Sequence, residues 1–231
     1  MFLNDAFDVE FDQEYRTERP IPMGLISLAE VWRWGLLWIG LGGVCFIGIN
    51  LMTGALGIFL FVLILSYDAL HKRISWGPVL MGLCRLLLYL IAASAGGHAV
   101  TGDSIWCGIA LAAYIIGLSF VARGEAIAGP LRYWPALLMA APIFFALLMN
   151  AGDYREAALL LSAVLTLWIL RALRHTFWSS PPRIGFTVSQ LLAGIVLVDW
   201  LAVAYAPRAI GFLFIGLFLG ALALQRIVPA T

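Results

Sequence analysis

Four polar residues near the start of the chain have the types and the spacing of a cation site. Asn4, Asp5, Asp8 and Asp12 occupy the run NDAFDVEFD, directly before a very apolar sequence. Because the carboxylates are three and four positions apart, a helical conformation places all three on one face. Like charges on one face repel each other, and a divalent cation is their usual partner. Hard oxygen ligands suit Mg²⁺, which commonly bridges carboxylates to phosphates, so the run predicts a metal-held diphosphate at a membrane surface.

A solvated acidic tail before a membrane helix is the alternative interpretation of this run. The sequence YRTERPIPMG that follows favours the ligand site, because Arg16 and Arg19 add positive charge to the same loop. Pro20 and Pro22 stiffen that loop. A metal beside fixed cations is what a diphosphate ligand requires. Three nearby glutamates fall off the aspartate face and are predicted to be solvated: Glu10, Glu14 and Glu18.

Charged residues recur at the ends of later apolar runs. Asp68 and Lys72 are four positions apart in YDALHKR, so a local ion pair is the modest alternative to a role at a site. Arg85 lies about two turns inside a helix, where a charge normally faces a bundle interior or a wet cavity. Snorkelling to the membrane surface is the alternative for this arginine. Arg123 and Glu125 end another apolar run, in the segment ARGEA.

The composition indicates a membrane protein. The chain has 231 residues, 63% of them hydrophobic, and its mean hydropathy is +0.97. Soluble domains are about 45–50% apolar, and here the excess falls into long runs. The net charge of +1 gives no indication of nucleic-acid binding. The three cysteines have no CxxC spacing and no matching histidine cluster, so disulfides and structural zinc are not expected. The first residues are acidic, so a secretory signal peptide is not expected.

The apolar runs predict an all-α, polytopic bundle of about eight transmembrane helices, since each run is close to the roughly 20 residues that span a bilayer. The loops are too short for a separate domain, so residues 1–231 are predicted to form one membrane domain. The predicted helices cover residues 25–49, 52–68, 77–96, 104–122, 131–149, 154–173, 186–205 and 208–226.

The loop charges predict an orientation. If the helices alternate, the side that carries the N-terminal segment also carries most of the basic residues, and the positive-inside rule places that side in the cytoplasm. The opposite side carries only Arg155 and Arg208. The basic residues of the predicted cytoplasmic side are Arg16, Arg19, Lys72, Arg73, Arg123, Arg132, Arg171, Arg174, Arg183 and Arg226.

The first motif also has a family resemblance. NDAFDVEFD followed by RTERPIPMG resembles the signature NDxxDxxxD…RPxPxG of the UbiA superfamily of membrane prenyltransferases. The combination of YDALHKR, MGLCR and ARGE is most similar to the EboC-type branch, and the similarity covers nearly the whole chain. Members of the superfamily are helical bundles around a central cavity, with two acidic motifs that hold Mg²⁺ and an isoprenyl diphosphate.

The resemblance implies roles for individual residues. Asp5, Asp8 and Asp12 would bind Mg²⁺ and serve catalysis as the first motif. Substrate-binding roles fall on seven further residues: Asn4, Arg16, Asp68, Lys72, Arg85, Arg123 and Glu125. The implied reaction is Mg²⁺-dependent transfer of a prenyl group from an isoprenyl diphosphate to a lipophilic acceptor, expected to be aromatic. The expected location is a cell membrane, with bacterial cytoplasmic membrane favoured and the motif loops on the cytoplasmic side.

Two departures from the family pattern qualify these expectations. The second family motif is commonly DxxxD, whereas the corresponding segment here reads ARGEA, in which only Glu125 is acidic. The first motif begins at residue 4, where the family has two preceding helices, so the chain is expected to be N-terminally truncated. Two other functions remain open: a non-catalytic accessory protein that binds a prenyl lipid for precursor handling or transport, and a transporter or channel that uses buried charge.

Overall fold

The protein is described by a computed structural model that covers residues 2–71, 74–96, 99–126, 133–150 and 152–225. Every regular element within these ranges is helical, which confirms the predicted all-α class. The helices form two compact units, Met1–Thr101 and Gly102–Thr231. Each unit is described below by itself.

The first unit starts with two short helices, α1 (Phe2–Phe7) and α2 (Val9–Tyr15), followed by three long ones. The long helices are α3 (Leu28–Ile49), α4 (Leu51–Leu70) and α5 (Gly77–Ala95). Helix α3 begins at a capping box, in which the Ser27 hydroxyl accepts from the Glu30 amide and the Glu30 carboxylate accepts from the Ser27 amide. Helix α1 packs against α3 and α4, so the first motif is attached to the long helices.

Asn50 makes the sharp turn between α3 and α4. Its side-chain oxygen accepts from the Thr53 amide at 2.8 Å, which caps α4, and its amide nitrogen donates to the Ser94 carbonyl at 2.9 Å. The hydroxyls of Thr53 and Ser94 are 2.9 Å apart in a buried hydrogen bond. These bonds tie the ends of α4 and α5 together, in a setting where water cannot satisfy the polar groups.

The second unit contains α6 (Gly102–Ala126), α7 (Trp134–Met139), α8 (Ala141–Met149), α9 (Arg155–Phe177), α10 (Ile184–Ala202) and α11 (Arg208–Leu224). A short 3-10 turn, Gly152–Tyr154, precedes α9. Helix α10 packs against α6, α8, α9 and α11 and is therefore the centre of this unit. The fully buried Tyr114 of α6 donates its hydroxyl to the Leu191 carbonyl of α10 at 2.8 Å.

All eight predicted apolar segments are helical, but one of them is interrupted. The stretch predicted as 131–149 is divided into α7 and α8 at Ala140, because Pro142 in the first turn of α8 has no amide to continue the earlier helix. Within the residues that the structure describes, six helices are long and apolar enough to cross a membrane, while the segments Trp134–Met149 and Ala209–Leu224 are shorter. The chain is a multi-pass membrane protein, and the candidate span Leu28–Ile49 follows the first motif.

Candidate functional site

The first motif is helical, as the spacing predicts. The Asp8 amide donates to the Asn4 carbonyl at 2.9 Å and the Asp12 amide donates to the Asp8 carbonyl at 2.8 Å, so helical bonding continues from α1 into α2. The side chains are connected as well, since the Asn4 amide nitrogen donates to an Asp8 carboxylate oxygen at 3.3 Å. The three aspartates therefore follow one helical course, and Asn4 orients the middle carboxylate.

Arg19 supplies the positive charge at this acidic face. Its Nη1 donates to Asp5 Oδ1 at 2.8 Å, and its Nε lies 4.0 Å from Asp12 Oδ2. The chain reaches this position through a folded loop, in which the Arg19 amide donates to the Arg16 carbonyl at 3.0 Å and the Met23 amide donates to the Arg19 carbonyl at 3.0 Å. One guanidinium therefore lies between two aspartates of the motif.

The aspartates differ in their exposure to solvent. Asp12 is 3% exposed and is the buried acidic residue of this unit, whereas Asp5 and Asp8 are half-buried. A buried carboxylate is costly unless a cation or hydrogen-bond donors compensate it. The only ion pair found for Asp12 within the described residues is the 4.0 Å contact with Arg19. The buried carboxylate of Asp12 would therefore be stabilised by a further positive charge close to it.

Asp68 lies near the same face. It is half-buried close to the end of α4, and the charges of Asp8 and Asp5 act on its carboxylate. The helix α1 that carries Asp5 packs against α4, which explains this proximity. The structure thus brings a fourth acidic residue, 56 positions beyond Asp12 in the chain, toward the three aspartates of the motif.

The other residues predicted to bind substrate differ in their position and exposure. Arg16 is exposed, with its guanidinium 6.0 Å from the centre of the Phe11 ring. Arg85 of α5 is also exposed. Arg123 is half-buried in the last turn of α6, in the second unit. Lys72 and the side chain of Glu125 lie outside what the structure describes.

The donor set of the first motif fits Mg²⁺ in its chemistry, because carboxylate oxygens are the hard ligands that this ion takes. Asp5, Asp8 and Asp12 are the residues that would hold the ion. In the described ranges no three acidic, histidine or cysteine side chains converge in an arrangement ready for a metal. Instead, the guanidinium of Arg19 contacts two of the three carboxylates.

Arg19 is a functional candidate to which the sequence gives no specific role. From the sequence it is one of two positive charges in the loop, and the family resemblance implies the diphosphate contact for Arg16. Both arginines lie in the same short segment, four and seven residues after Asp12. The available signal was the position of Arg19 directly before Pro20, since proline restricts the preceding residue to extended or turn conformations. This restriction of the Arg19 backbone does not predict which carboxylate its side chain contacts.

The fold and the acidic face together define a class: a multi-pass α-helical membrane protein with an acidic motif that contacts a guanidinium and packs on the long helices. Comparison with known proteins then gives the family. The model of the UbiA prenyltransferase family matches residues 1–229, and the chain belongs to that family.

Two curated relatives are digeranylgeranylglyceryl phosphate synthases. The protein of Methanosarcina mazei is 34% identical over 78 residues, which cover 34% of this chain and 26% of the relative. The protein of Ignicoccus hospitalis is 34% identical over 71 residues, which cover 31% of this chain and 23% of the relative. The matched segments thus span about a quarter of these relatives' length, 26% and 23%.

A solved structure has the same fold. It comes from work on digeranylgeranylglyceryl phosphate synthase in membranes, and it superposes with a TM-score of 0.61 at 17% sequence identity. The match covers 96% of this chain and 80% of the other. At this identity the likeness concerns the fold alone.

Proposed function

We propose that this protein transfers a prenyl group from an isoprenyl diphosphate to a lipophilic acceptor within the membrane. The observation that carries the proposal is the helical acidic face of Asp5, Asp8 and Asp12, already in contact with a guanidinium. Such a combination of carboxylates and a fixed cation is suited to a metal-bound diphosphate, because the carboxylates would hold the metal and the charged, non-bridging oxygens of the diphosphate would accept from Arg19. Family membership and the names of the relatives support the same reaction class.

The residues of the first motif hold and orient the leaving group. Asp5, Asp8 and Asp12 are assigned as the Mg²⁺ ligands, and Asn4 fixes the Asp8 carboxylate through the 3.3 Å hydrogen bond. Mg²⁺, when bound, neutralises the charge that develops on the departing diphosphate. Arg19 adds positive charge at the same place, because it can shift from the carboxylates to a diphosphate oxygen without leaving the site.

The chemistry of the transfer is a substitution at the allylic carbon. The bond between that carbon and the diphosphate oxygen breaks, the electron pair leaves with the diphosphate, and the acceptor forms the new bond before it loses its proton. The apolar faces of the spanning helices keep water away from the allylic cation and so prevent its hydrolysis. Further substrate contacts are assigned to Arg16, Asp68, Lys72, Arg85, Arg123 and Glu125.

The acceptor defines two versions of the proposal. The family resemblance implies an aromatic acceptor, whereas the two relatives are named as synthases of digeranylgeranylglyceryl phosphate, a product that prenyl transfer would form from geranylgeranylglyceryl phosphate as the acceptor. Both acceptors are lipophilic molecules that reach the site through the bilayer. We take the broader class, a lipophilic acceptor, as the proposal and expect the motif loops on the cytoplasmic side of a bacterial cytoplasmic membrane.

Reconstitution of the full chain in lipid tests the reaction. We expect Mg²⁺-dependent release of diphosphate from geranylgeranyl diphosphate, accompanied by a prenylated product when an aromatic lipid or a geranylgeranylglyceryl phosphate is added. Donor binding without any release of diphosphate, over a panel of donor lengths and both acceptors, would identify a prenyl-lipid-binding protein instead of an enzyme.

The variant Asp8→Ala makes the same assay specific for the site. It should lower turnover by about 100-fold, the typical effect of losing one preorganised electrostatic partner of a transition state. Mg²⁺-dependent binding of the donor should be lost together with turnover. Glu10→Ala is the matched control, because Glu10 is exposed two positions away, and it should retain activity close to that of the unaltered chain. Retained Mg²⁺-dependent binding in Asp8→Ala contradicts the assignment.

A further inference from the structure

A basic depression lies where α9 ends and the connection to α10 begins. It is open, has a volume of about 520 Å³, and is lined by Arg171, Arg174, His175, Trp178, Ser179 and Arg183. All three arginines are exposed. Within the described ranges, none of these three guanidinium groups forms an ion pair with a carboxylate. We call this set of six residues the basic depression.

Local structure brings the basic residues of the basic depression together. Arg171, Arg174 and His175 are three and four positions apart in the last turns of α9, so they share one face of the helix. The chain then folds back, and the Arg183 amide donates to the His175 carbonyl at 2.8 Å. This hydrogen bond places Arg183 beside the end of α9, although it is eight residues beyond His175 in the chain. The bond also satisfies one of the carbonyl groups that have no partner within the last turn of the helix.

The framework behind the basic depression is fixed by buried polar contacts. The Thr176 hydroxyl donates to the Thr187 hydroxyl at 2.7 Å, and the Thr187 hydroxyl donates to the Ala172 carbonyl at 2.9 Å. Both threonines are buried, with exposures of 1% and 0%. On the same side, His175 contacts the Phe186 ring edge-on at a centroid distance of 4.8 Å. The ends of α9 and α10 are therefore held in one arrangement.

The length of α9 places the basic depression at the membrane surface. The helix has 23 residues, and at about 1.5 Å per residue it matches a hydrocarbon core of about 30 Å. Its last turn thus reaches the level of the lipid head groups. Trp178, which follows the helix, is 67% exposed, and tryptophan is enriched at that level of the bilayer. The phosphates of lipids lie within reach of the arginines.

Cations interact favourably with a helix C-terminus, but this effect explains only some of the basic residues in the basic depression. It accounts for Arg174 and His175 in the last turn of α9. It does not account for Arg183, which lies beyond the helix and is returned to its end by a backbone hydrogen bond. Three arginines without carboxylate partners around one depression fit a shared anionic ligand, because guanidinium groups bind phosphate through paired hydrogen bonds.

We propose that the basic depression binds the phosphate head group of an anionic membrane phospholipid. The arginines would contact the phosphate oxygens, Ser179 would offer a hydroxyl, and Trp178 would lie beside the glycerol and the upper acyl chains. This proposal uses none of the residues of the first motif and does not depend on the prenyl-transfer reaction.

Native mass spectrometry of the intact protein in detergent micelles tests the proposal, with titration of phosphatidylglycerol and phosphatidylcholine. We expect tighter binding of phosphatidylglycerol. Each arginine near a membrane surface contributes about fivefold, or about 1 kcal/mol, to the binding of anionic lipid. The double variant Arg174→Gln/Arg183→Gln should therefore weaken phosphatidylglycerol binding by about 25-fold. Arg155→Gln, the same change at the opposite end of α9, is the matched control and should leave that affinity unchanged.

Further experiments test whether a loss of lipid binding reflects lost charge or lost folding, and whether the site prefers a soluble anion. Arg174→Lys/Arg183→Lys keeps the charge and should retain most of the affinity, while circular dichroism confirms that the variants are folded. Equal affinities of the wild-type chain for the two lipids would overturn the proposal. Displacement of the lipid by millimolar inorganic phosphate or pyrophosphate would also overturn it, since the site would then prefer a soluble anion. The wild-type comparisons decide the question even if the glutamine variants fail to fold.

Discussion

Arg19 is the residue that most changes the interpretation of the acidic motif. Its guanidinium contacts Asp5 at 2.8 Å and lies 4.0 Å from the buried Asp12. The acidic face therefore does not depend on a metal for all of its compensating charge. In the proposed reaction, Arg19 keeps the carboxylates in place before the donor binds and then contacts a diphosphate oxygen.

The pairing of Arg19 with Asp5 can be measured in a double-mutant cycle. Arg19→Gln and Asp5→Asn should show a coupling energy of about 0.5–1 kcal/mol, which is small because both side chains are about one-third exposed, 33% and 30%, and are screened by solvent. The measurement is reversible unfolding of the protein in detergent micelles. The same cycle with Arg16→Gln in place of Arg19→Gln is the control. Equal coupling in both cycles would show that Arg19 is only general loop charge.

Arg123 and Glu125 define the second prediction at the scale of single residues. If ARGEA takes the place of the second acidic motif, Glu125→Ala should raise the Mg²⁺ concentration needed for half-maximal activity. Arg123→Ala should instead raise the KM for the donor diphosphate, by roughly tenfold for the loss of one charge-assisted hydrogen bond. Steady-state kinetics with Mg²⁺ and donor varied separately would distinguish the two effects. Wild-type values in both variants would mean that the first motif suffices for binding Mg²⁺ and the donor diphosphate.

At the scale of elements, the position of α1 on α3 decides whether the motif is presented correctly. Gly35 of α3 is buried, and a Cβ built on it would lie 2.7 Å from Leu3 Cδ2 and 2.8 Å from Leu3 Cγ. Leu3 is itself 5% exposed, so it has little room to move. The close approach of the two helices therefore requires a glycine at this position.

Gly35→Ala should thus displace α1 and disturb the aspartates that α1 carries. We expect a loss of about 1–3 kcal/mol of stability, the usual effect of overpacking a close contact, together with weaker Mg²⁺-dependent donor binding. Thermal unfolding and a binding titration measure the two effects. Gly40→Ala on the same helix has no atom within 4 Å of the new Cβ and should be neutral or slightly stabilising. Equal behaviour of the two variants would contradict the role of the contact.

The interruption between α7 and α8 also belongs to this scale. Gly117 of α6 lies opposite it, where an added Cβ would approach the Pro135 carbonyl oxygen and Met139 Cγ. The short helices are thus packed closely onto α6 despite the break at Ala140. A small residue on one helix allows the backbone of the next to approach, which is the common solution for packing in membranes.

At the scale of the whole molecule, the distribution of loop charges predicts the orientation of the chain. In a background without native cysteines, Glu18→Cys and Ser180→Cys should react with an impermeant maleimide only from the cytoplasmic side. Tyr154→Cys, at the start of α9, should react only from the opposite side. Labelling of intact cells and inverted membrane vesicles measures both. Reaction of Glu18→Cys from outside intact cells would reverse the orientation. The cysteines to be replaced by serine are Cys45, Cys84 and Cys107.

The sequence by itself determined the fold class, the position of the helices and the acidic face. These features depend on local patterns: apolar runs long enough to span a bilayer, and carboxylates at positions three and four apart in a helix. The predicted spans at residues 52–68 and 77–96 correspond to Leu51–Leu70 and Gly77–Ala95. The motif NDAFDVEFD likewise indicated the family that the whole-chain comparison confirmed. Hydrophobic length and helical period act within one segment, so no tertiary information is needed to recognise them.

Only the tertiary structure decided which charged groups meet. Arg19 rather than Arg16 reaches the aspartates because the chain turns between the two arginines, where the Arg19 amide donates to the Arg16 carbonyl. Asp68 approaches the motif because α1 packs on α4, and Arg183 joins Arg174 because its amide is bonded to the end of α9. Spacing along the chain cannot show these neighbours, since each pairing depends on the path of a loop and on which helix faces pack together. The physical reason is that a charge selects its partner by distance in space, whereas the sequence records only distance along the chain.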